Sequence, residues 1–114
     1  MSFFKSDIVQ SEMREISELQ EEIYSNMFKF SSMNKSEKVR HVELLEQLLN
    51  KQKVLYTRLS LSDDPEAKMM KERITDSASL MGLPSDIDMN VLFKNMSSLL
   101  ENMKQQIDKT GSDQ

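Results

Sequence analysis

The side chains able to do chemistry are few, and their spacing does not suit it. His41 is the only imidazole, and the acid nearest to it downstream, Glu43, is two positions on. Helical side chains meet three or four residues apart, so these two do not face each other. The chain has no cysteine for a histidine to activate, and no serine stands at a strand-to-helix elbow. His41 is therefore expected at an exposed or rim position. Two carboxylate pairs, Asp63 with Asp64 and Asp86 with Asp88, stand at expected helix starts, where acids cap free N–H groups and suit the dipole. General acid–base catalysis needs a cleft that shifts pKa values. A thin helical bundle offers little cleft, so capping is the expected role. Glu12, Glu15, Glu18 and Glu22 recur at helical spacing. Di-metal bundles add a Glu-x-x-His motif to such glutamates, but here Lys38 stands three before His41. The acidic run reads as a solvated face. No catalytic, cofactor-binding or metal-ligating set emerges, so a non-enzymatic protein without a cofactor is expected.

Two other residue sets point to binding. Lys35, Lys38, Arg40, Lys51, Lys53 and Arg58 form a basic set in the second helix, with no stacking aromatics interleaved. Residues 1–28 carry two Lys/Arg against six Asp/Glu, and residues 29–58 carry seven against three. The simpler expectation is that the acidic first segment lies beside the basic second one; the alternative is a face for nucleic acid. The overall charge of -4 disfavours phosphate binding. The third and fourth helices outline a helix-turn-helix weakly, but Asp86 and Asp88 would repel phosphates. Methionine is the more informative type. Of ten, six (Met69, Met70, Met81, Met89, Met96 and Met103) fall in the last two helices. Methionine fills gaps in small cores and is over-used on adaptable binding surfaces.

Four helices are expected to position these residues. The first runs from Asp7 to about Phe30, capped by Ser6 or Asp7. Val9, Met13, Ile16, Gln20, Ile23, Met27 and Phe30 follow 4-3 spacing on one face. Gln20 is the polar exception in that seam. After a four-residue connector, Asn34 with Glu37 predicts a capping box. The second helix then reaches about Leu59, with Val42, Leu45, Leu49, Gln52, Tyr56 and Leu59 as its stripe. So short a loop implies an antiparallel hairpin. Asp64 and Pro65 predict the start of a third helix, with Met70, Ile74, Ala78 and Met81 as its stripe. Gly82 ends it in the left-handed conformation, and Pro84 blocks continuation. Ser85 with Asp88 predicts the cap of a fourth helix running to Lys109. Its stripe is Met89, Leu92, Met96, Leu99 and Met103, with Phe93 and Leu100 beside it. Phe3 and Phe4 either pin the N-terminus to the bundle or dock into another chain.

Composition sets outer limits. With 114 residues there is room for one small domain, expected at 1–109, followed by a polar tail at 110–114. Apolar residues at 38% imply a thin core that a second copy could complete. Two glycines and two prolines argue against a turn-rich β fold. There is no apolar run long enough for a bilayer and no signal-peptide pattern at the N-terminus. A cytoplasmic protein without membrane contact is expected.

Met1-Ser2-Phe3-Phe4, then Ile8-Val9-Gln10, resembles the opening of a small cyanobacterial family, domain of unknown function number eighteen twenty-five. The resemblance resumes at Glu46-Gln47-Leu48-Leu49 and runs through Arg58-Leu59-Ser60-Leu61-Ser62-Asp63-Asp64, Ala67 and Met69 or Met70. It returns at Gly82, Phe93, Met96, Leu99, Glu101, Met103 and Lys104. It spans roughly residues 1–105 in order. The sequence departs around Phe28 to Lys35, where the family carries glycines, so the first hairpin is expected to differ in shape. The resemblance implies a cyanobacterium or its phage as source. It implies no activity, substrate, cofactor or site residue.

The expected fold is all-α: a small bundle of four helices, up-down in order, with the long antiparallel hairpin first. The rival is an open layout completed by dimerisation through the first or the fourth helix; low apolar content and the length of the stripes favour self-association, so a homo-oligomer, a dimer, is expected. The expected function is protein–protein interaction, with Met89, Leu92, Phe93, Met96 and Met103 as helix-in-groove anchors. The alternative is a nucleic-acid accessory protein using Lys35, Lys38, Arg40, Lys51 and Lys53.

Overall fold

A computed structural model of the chain describes residues 2–80, 82–83 and 88–110. They form α1 (Asp7–Met27), α2 (Lys35–Leu61), α3 (Pro65–Leu80) and α4 (Met89–Thr110), with 3-10 turns at Phe3–Lys5 and Phe30–Ser32. The protein is a small all-α bundle, and no strand occurs among the described residues.

The helix ends follow local chemistry. At the start of α2, the Glu37 N–H donates to Asn34 Oδ1 at 2.9 Å, and the Asn34 N–H donates to Glu37 Oε1 at 3.1 Å. This is the expected capping box, and it satisfies two orphan donors reciprocally. Before α1, Ser6 is the capping residue, but its side chain makes no capping bond. The expected Ser6 or Asp7 side-chain cap is absent. α1 also ends three residues before the expected Phe30. There the chain tightens into a 3-10 turn, where the Ser32 N–H and Oγ both donate to the Lys29 carbonyl at 3.0 and 2.9 Å. The turn carries Phe30 off the α1 stripe and sets its ring 5.5 Å from His41. Gly82 has φ of 92°, as its terminating role requires. The Ser85 half of the fourth cap lies outside the described residues. Asp88 caps α4 without it, its Oδ1 accepting the Asn90 N–H at 2.9 Å.

Asp64 joins distant parts of the chain. Its Oδ1 accepts the Glu66 N–H at 3.0 Å and so caps α3. Its Oδ2 accepts the Phe3 N–H, and Ser2 Oγ donates to Glu66 at 3.4 Å. Phe3 and Phe4 pack edge to face, 5.1 Å apart, and the 3-10 turn they open lies against α1 and α3. Of the two readings of this aromatic pair, the structure shows the N-terminus pinned to the bundle.

α2 is the centre of the fold. α1, α3 and α4 all pack on it, while they touch one another little. Glu15 and Glu12 of α1 pair with Lys51 and Arg58 of α2, so α1 runs antiparallel to α2. Phe93 meets Tyr56, and Lys104 meets Glu46, so α4 also runs antiparallel to α2. In an up-down-up-down bundle α4 would run parallel to α2; that order therefore fails at α4. α3 has 16 residues against 27 in α2 and is too short to span it.

The core is thin and lies along α2. Its buried apolar residues are Val9, Ile23, Val42, Leu44, Leu49, Leu59, Ala67 and Phe93. Met13 and Met27, expected in the α1 seam, are exposed along its outer edge. The radius of gyration is 16.5 Å, against about 13 Å for a compact domain of this length. The accessible surface is 8091 Å², against about 6,450 Å² for a compact monomer of this mass. The layout is open.

Two measurements test this account. Leu44→Ala, at a buried α2 position, should cost about 2–5 kcal/mol in chemical denaturation. The second concerns acid. The Phe3 and Glu66 N–H groups hold the Asp64 carboxyl below its ordinary 3.8. The unfolded chain then binds this proton more readily than the folded one. The resulting stability is complete above the ordinary aspartate value and lost as pH falls through the folded value. Asp64→Asn keeps a capping oxygen but removes the charge. Its thermal midpoint should fall at pH 7, and its acid limb should be shallower than that of the parent.

Candidate functional site

Several of the residues singled out for chemistry have structural partners. His41 is buried at 7% exposure, which corrects the expected rim position. The 3-10 turn is the reason, because it lays Phe30 over the imidazole, with the Lys38 ammonium 5.5 Å above the Phe30 ring. His41 Nδ1 has no hydrogen-bond partner among the described residues. Asp64 and Asp88 cap helices, Asp63 is exposed, and Asp86 lies outside the described residues. Glu12 pairs with Arg58 at 2.8 Å and Glu15 with Lys51 at 2.7 Å, while Glu18 and Glu22 face solvent. The Lys51 ammonium holds the Glu15 carboxyl below its ordinary range. Among the described residues, no group of three or more His, Cys, Asp or Glu is placed to hold a metal ion. No described helix is long and apolar enough to cross a membrane.

The basic set does not assemble into one face. At 100° per residue, Lys35, Lys38 and Lys53 fall on one side of α2, and Arg40 and Lys51 on another. Lys35 and Lys53 are also about 27 Å apart along the axis. Lys51 is engaged by Glu15, and Lys38 lies over Phe30. The acidic first segment lies beside the basic second one, as the simpler expectation had it.

The apolar side chains of α4 divide into two edges. The inner edge is set by Phe93 and Lys104. Phe93 is 8% exposed, and its ring lies 5.9 Å from that of Tyr56. Lys104 is half-buried and donates to Glu46 at 3.1 Å, with Glu101 at 3.6 Å. The Glu46 carboxylate raises the Lys104 pKa above its ordinary value. Together these contacts fix the rotation of α4 on α2. Phe93 is thus a core residue rather than a docking anchor, which corrects its expected role. Met89 and Leu92 are half-buried. Met96 and Met103 are exposed at 43% and 37%, and Leu99 between them at 60%. Leu99 belonged to the expected stripe but not to the expected anchors. Its signal was positional, since it stands three after Met96 and four before Met103.

Beside this edge lies an apolar groove of about 570 Å³. Met13, Ile16 and Gln20 of α1 form one wall, Gln52, Leu55 and Tyr56 of α2 the floor, and Met89 and Phe93 of α4 the other wall. Met70 and Ile74 of α3 and the Phe3–Phe4 pair close one end. The two seam glutamines therefore both line an apolar channel. An apolar channel with a few polar groups can take a helix or an apolar ligand.

The packing role of His41 is testable. His41→Leu removes a buried polar atom without a partner, so the variant should keep the parent's stability within about 1 kcal/mol or exceed it. A thermal melt with a midpoint more than ten degrees lower, as a rough bound, would overturn that role.

No curated protein and no solved structure matches the chain. Residues 1–107 match the family described as Domain of unknown function (DUF1825), which covers both the helices and the groove. The chain belongs to the DUF1825 family.

Proposed function

We propose that the chain is a non-enzymatic helical protein–protein interaction module, a small adaptor or regulator working in the cytoplasm of a cyanobacterium or for its phage. The observation that carries this reading is the outer edge of α4. Met96, Leu99 and Met103 lie exposed in one row, on the same helix as Met89 and Phe93, which line the apolar groove. Singly scattered apolar residues need no explanation, but a contiguous row beside a groove marks a contact surface. Two of the three are methionines, whose flexible thioethers adapt to a partner. Docking would follow the helix-in-groove mode, with anchors at i, i+3 and i+7.

Nothing comparable supports the nucleic-acid alternative. The helix carrying the basic residues has Lys51 and Arg58 neutralised by α1. Phosphate binding by such a surface would be weak and steeply salt-dependent.

A photo-crosslinking amino acid at position 99 tests the reading in cells. A second chain should be captured from position 99, and none from position 18, which faces solvent on α1. Leu99→Asp, combined with a crosslinker at Met103, should reduce capture at least tenfold, given the ~2 kcal/mol typical of a central contact. Absence of any protein adduct from position 99 would sink the interaction reading.

A further inference from the structure

We infer that the outer edge of α4 is covered by the same edge of a second copy of this chain, forming an antiparallel two-fold helix pair. The inference rests on the reading of α4 as a contact surface and names its occupant.

Three observations select a second copy. The first is area. The chain exposes about 1,600 Å² more than a compact monomer of its mass, while a stable interface removes about 800 Å² from each partner. That excess belongs to the whole chain, and Met96, Leu99 and Met103, 43%, 60% and 37% exposed, are the part of it along α4.

The second is symmetry. Leu92, Met96, Leu99 and Met103 are spaced 4-3-4. That spacing reads the same in both directions. A two-fold axis level with the Ser97–Ser98 bond sets Leu92 against Met103 and Met96 against Leu99, each pair occurring twice. An isologous contact requires this self-complementarity, and apolar residues at 4-3 spacing form the seam of paired helices.

The third is charge. Two copies of one surface place like charges together unless the surface is nearly neutral. α4 carries three lysines against two acids, net +1, whereas α1 carries one arginine against six acids, net -5. Beside the α4 seam, on the side away from α2, stand Asn95, Asn102 and Gln106, all exposed. Amides both donate and accept and carry no charge, so this flank can lie against a second copy without repulsion. α1 meeting its own copy would oppose two acidic rods. Of the two helices available for self-pairing, α4 is the one whose charge permits it.

Sedimentation equilibrium from about 1 to 100 µM is the test. The chain should approach twice its 13.3 kDa mass. Leu99→Asp should weaken association thirtyfold or more, roughly what a central contact of 2 kcal/mol implies, with helical circular dichroism unchanged. Tyr24→Asp, on exposed α1, should leave association intact. Because the chain has no cysteine, Leu99→Cys can be joined by a short bismaleimide, and a covalent dimer should form there but not from Tyr24→Cys. A chain monomeric at 100 µM overturns the inference. So does a dimer that survives Leu99→Asp or dissolves with Tyr24→Asp. A monomer that still yields an adduct with a different protein from position 99 removes the second copy and leaves the interaction reading standing.

Discussion

Everything in this fold depends on one helix being the shared packing partner of the other three. The core-facing apolar residues of α2, Val42, Leu44, Leu49, Tyr56 and Leu59, cover an arc of about 160° at 100° per residue. One neighbour cannot cover an arc that wide, and an ordinary amphipathic helix needs only a little over 100°. α1 and α4 therefore both lie on α2, each running antiparallel to it, and α3 covers what remains near its C-terminal end. The cost is borne by the outer helices. Each contributes one edge of its apolar stripe to α2 and has no second helix to cover the other edge. The open groove and the exposed row on α4 follow directly from this arrangement.

Ion pairs set direction and register more than they add stability. The Glu15–Lys51 and Glu12–Arg58 pairs are partly exposed, and such pairs contribute little. They nevertheless discriminate. Sliding α1 by one turn along α2 would set Glu15 and Glu18 against a different series of side chains. Lys104 does the same for α4, where its half-buried contact with Glu46 prevents rotation of Met96 and Leu99 towards the core. The acidic and basic halves of the sequence thus read as two sides of one hairpin.

Much of the architecture was legible because it is local. The Asn34–Glu37 capping box, the Asp64–Pro65 start and the Gly82 stop are each decided within four residues by orphan donors or by φ. The misread elements depend on contacts made at long range. His41 has nothing near it in sequence to bury it, and only the 3-10 turn at Phe30 covers it. The direction of α4 is invisible to periodicity, which reports that a stripe exists and not which helix it meets. For the same reason Phe93 and Leu99, both in or beside one stripe, could not be separated. Phe93 lies on the α2 side because Tyr56 meets it there, and Leu99 lies 60° beyond Met96 on the far side. The presence of Gln20 and Gln52 in one groove was half legible, since each glutamine interrupts its own seam, but their convergence needed the hairpin.

The residue types along the uncovered edge bear on what it costs to leave it uncovered. Exposed leucine or phenylalanine in a row would invite indiscriminate association. The row here is mostly methionine, whose unbranched chain can fold against its own helix when alone and extend into a partner when one arrives. Leu99 is the stiff exception, at the middle of the row, where a contact is dehydrated most completely and shape counts most. Phe93, six residues before it, is committed to the core by Tyr56. The helix therefore holds a rigid inner edge and an adaptable outer one, and the fixed contacts of the first determine where the second points. A chain with a core this thin can keep an apolar edge exposed only if that edge is soft in isolation, and the distribution of methionine along α4 meets that condition.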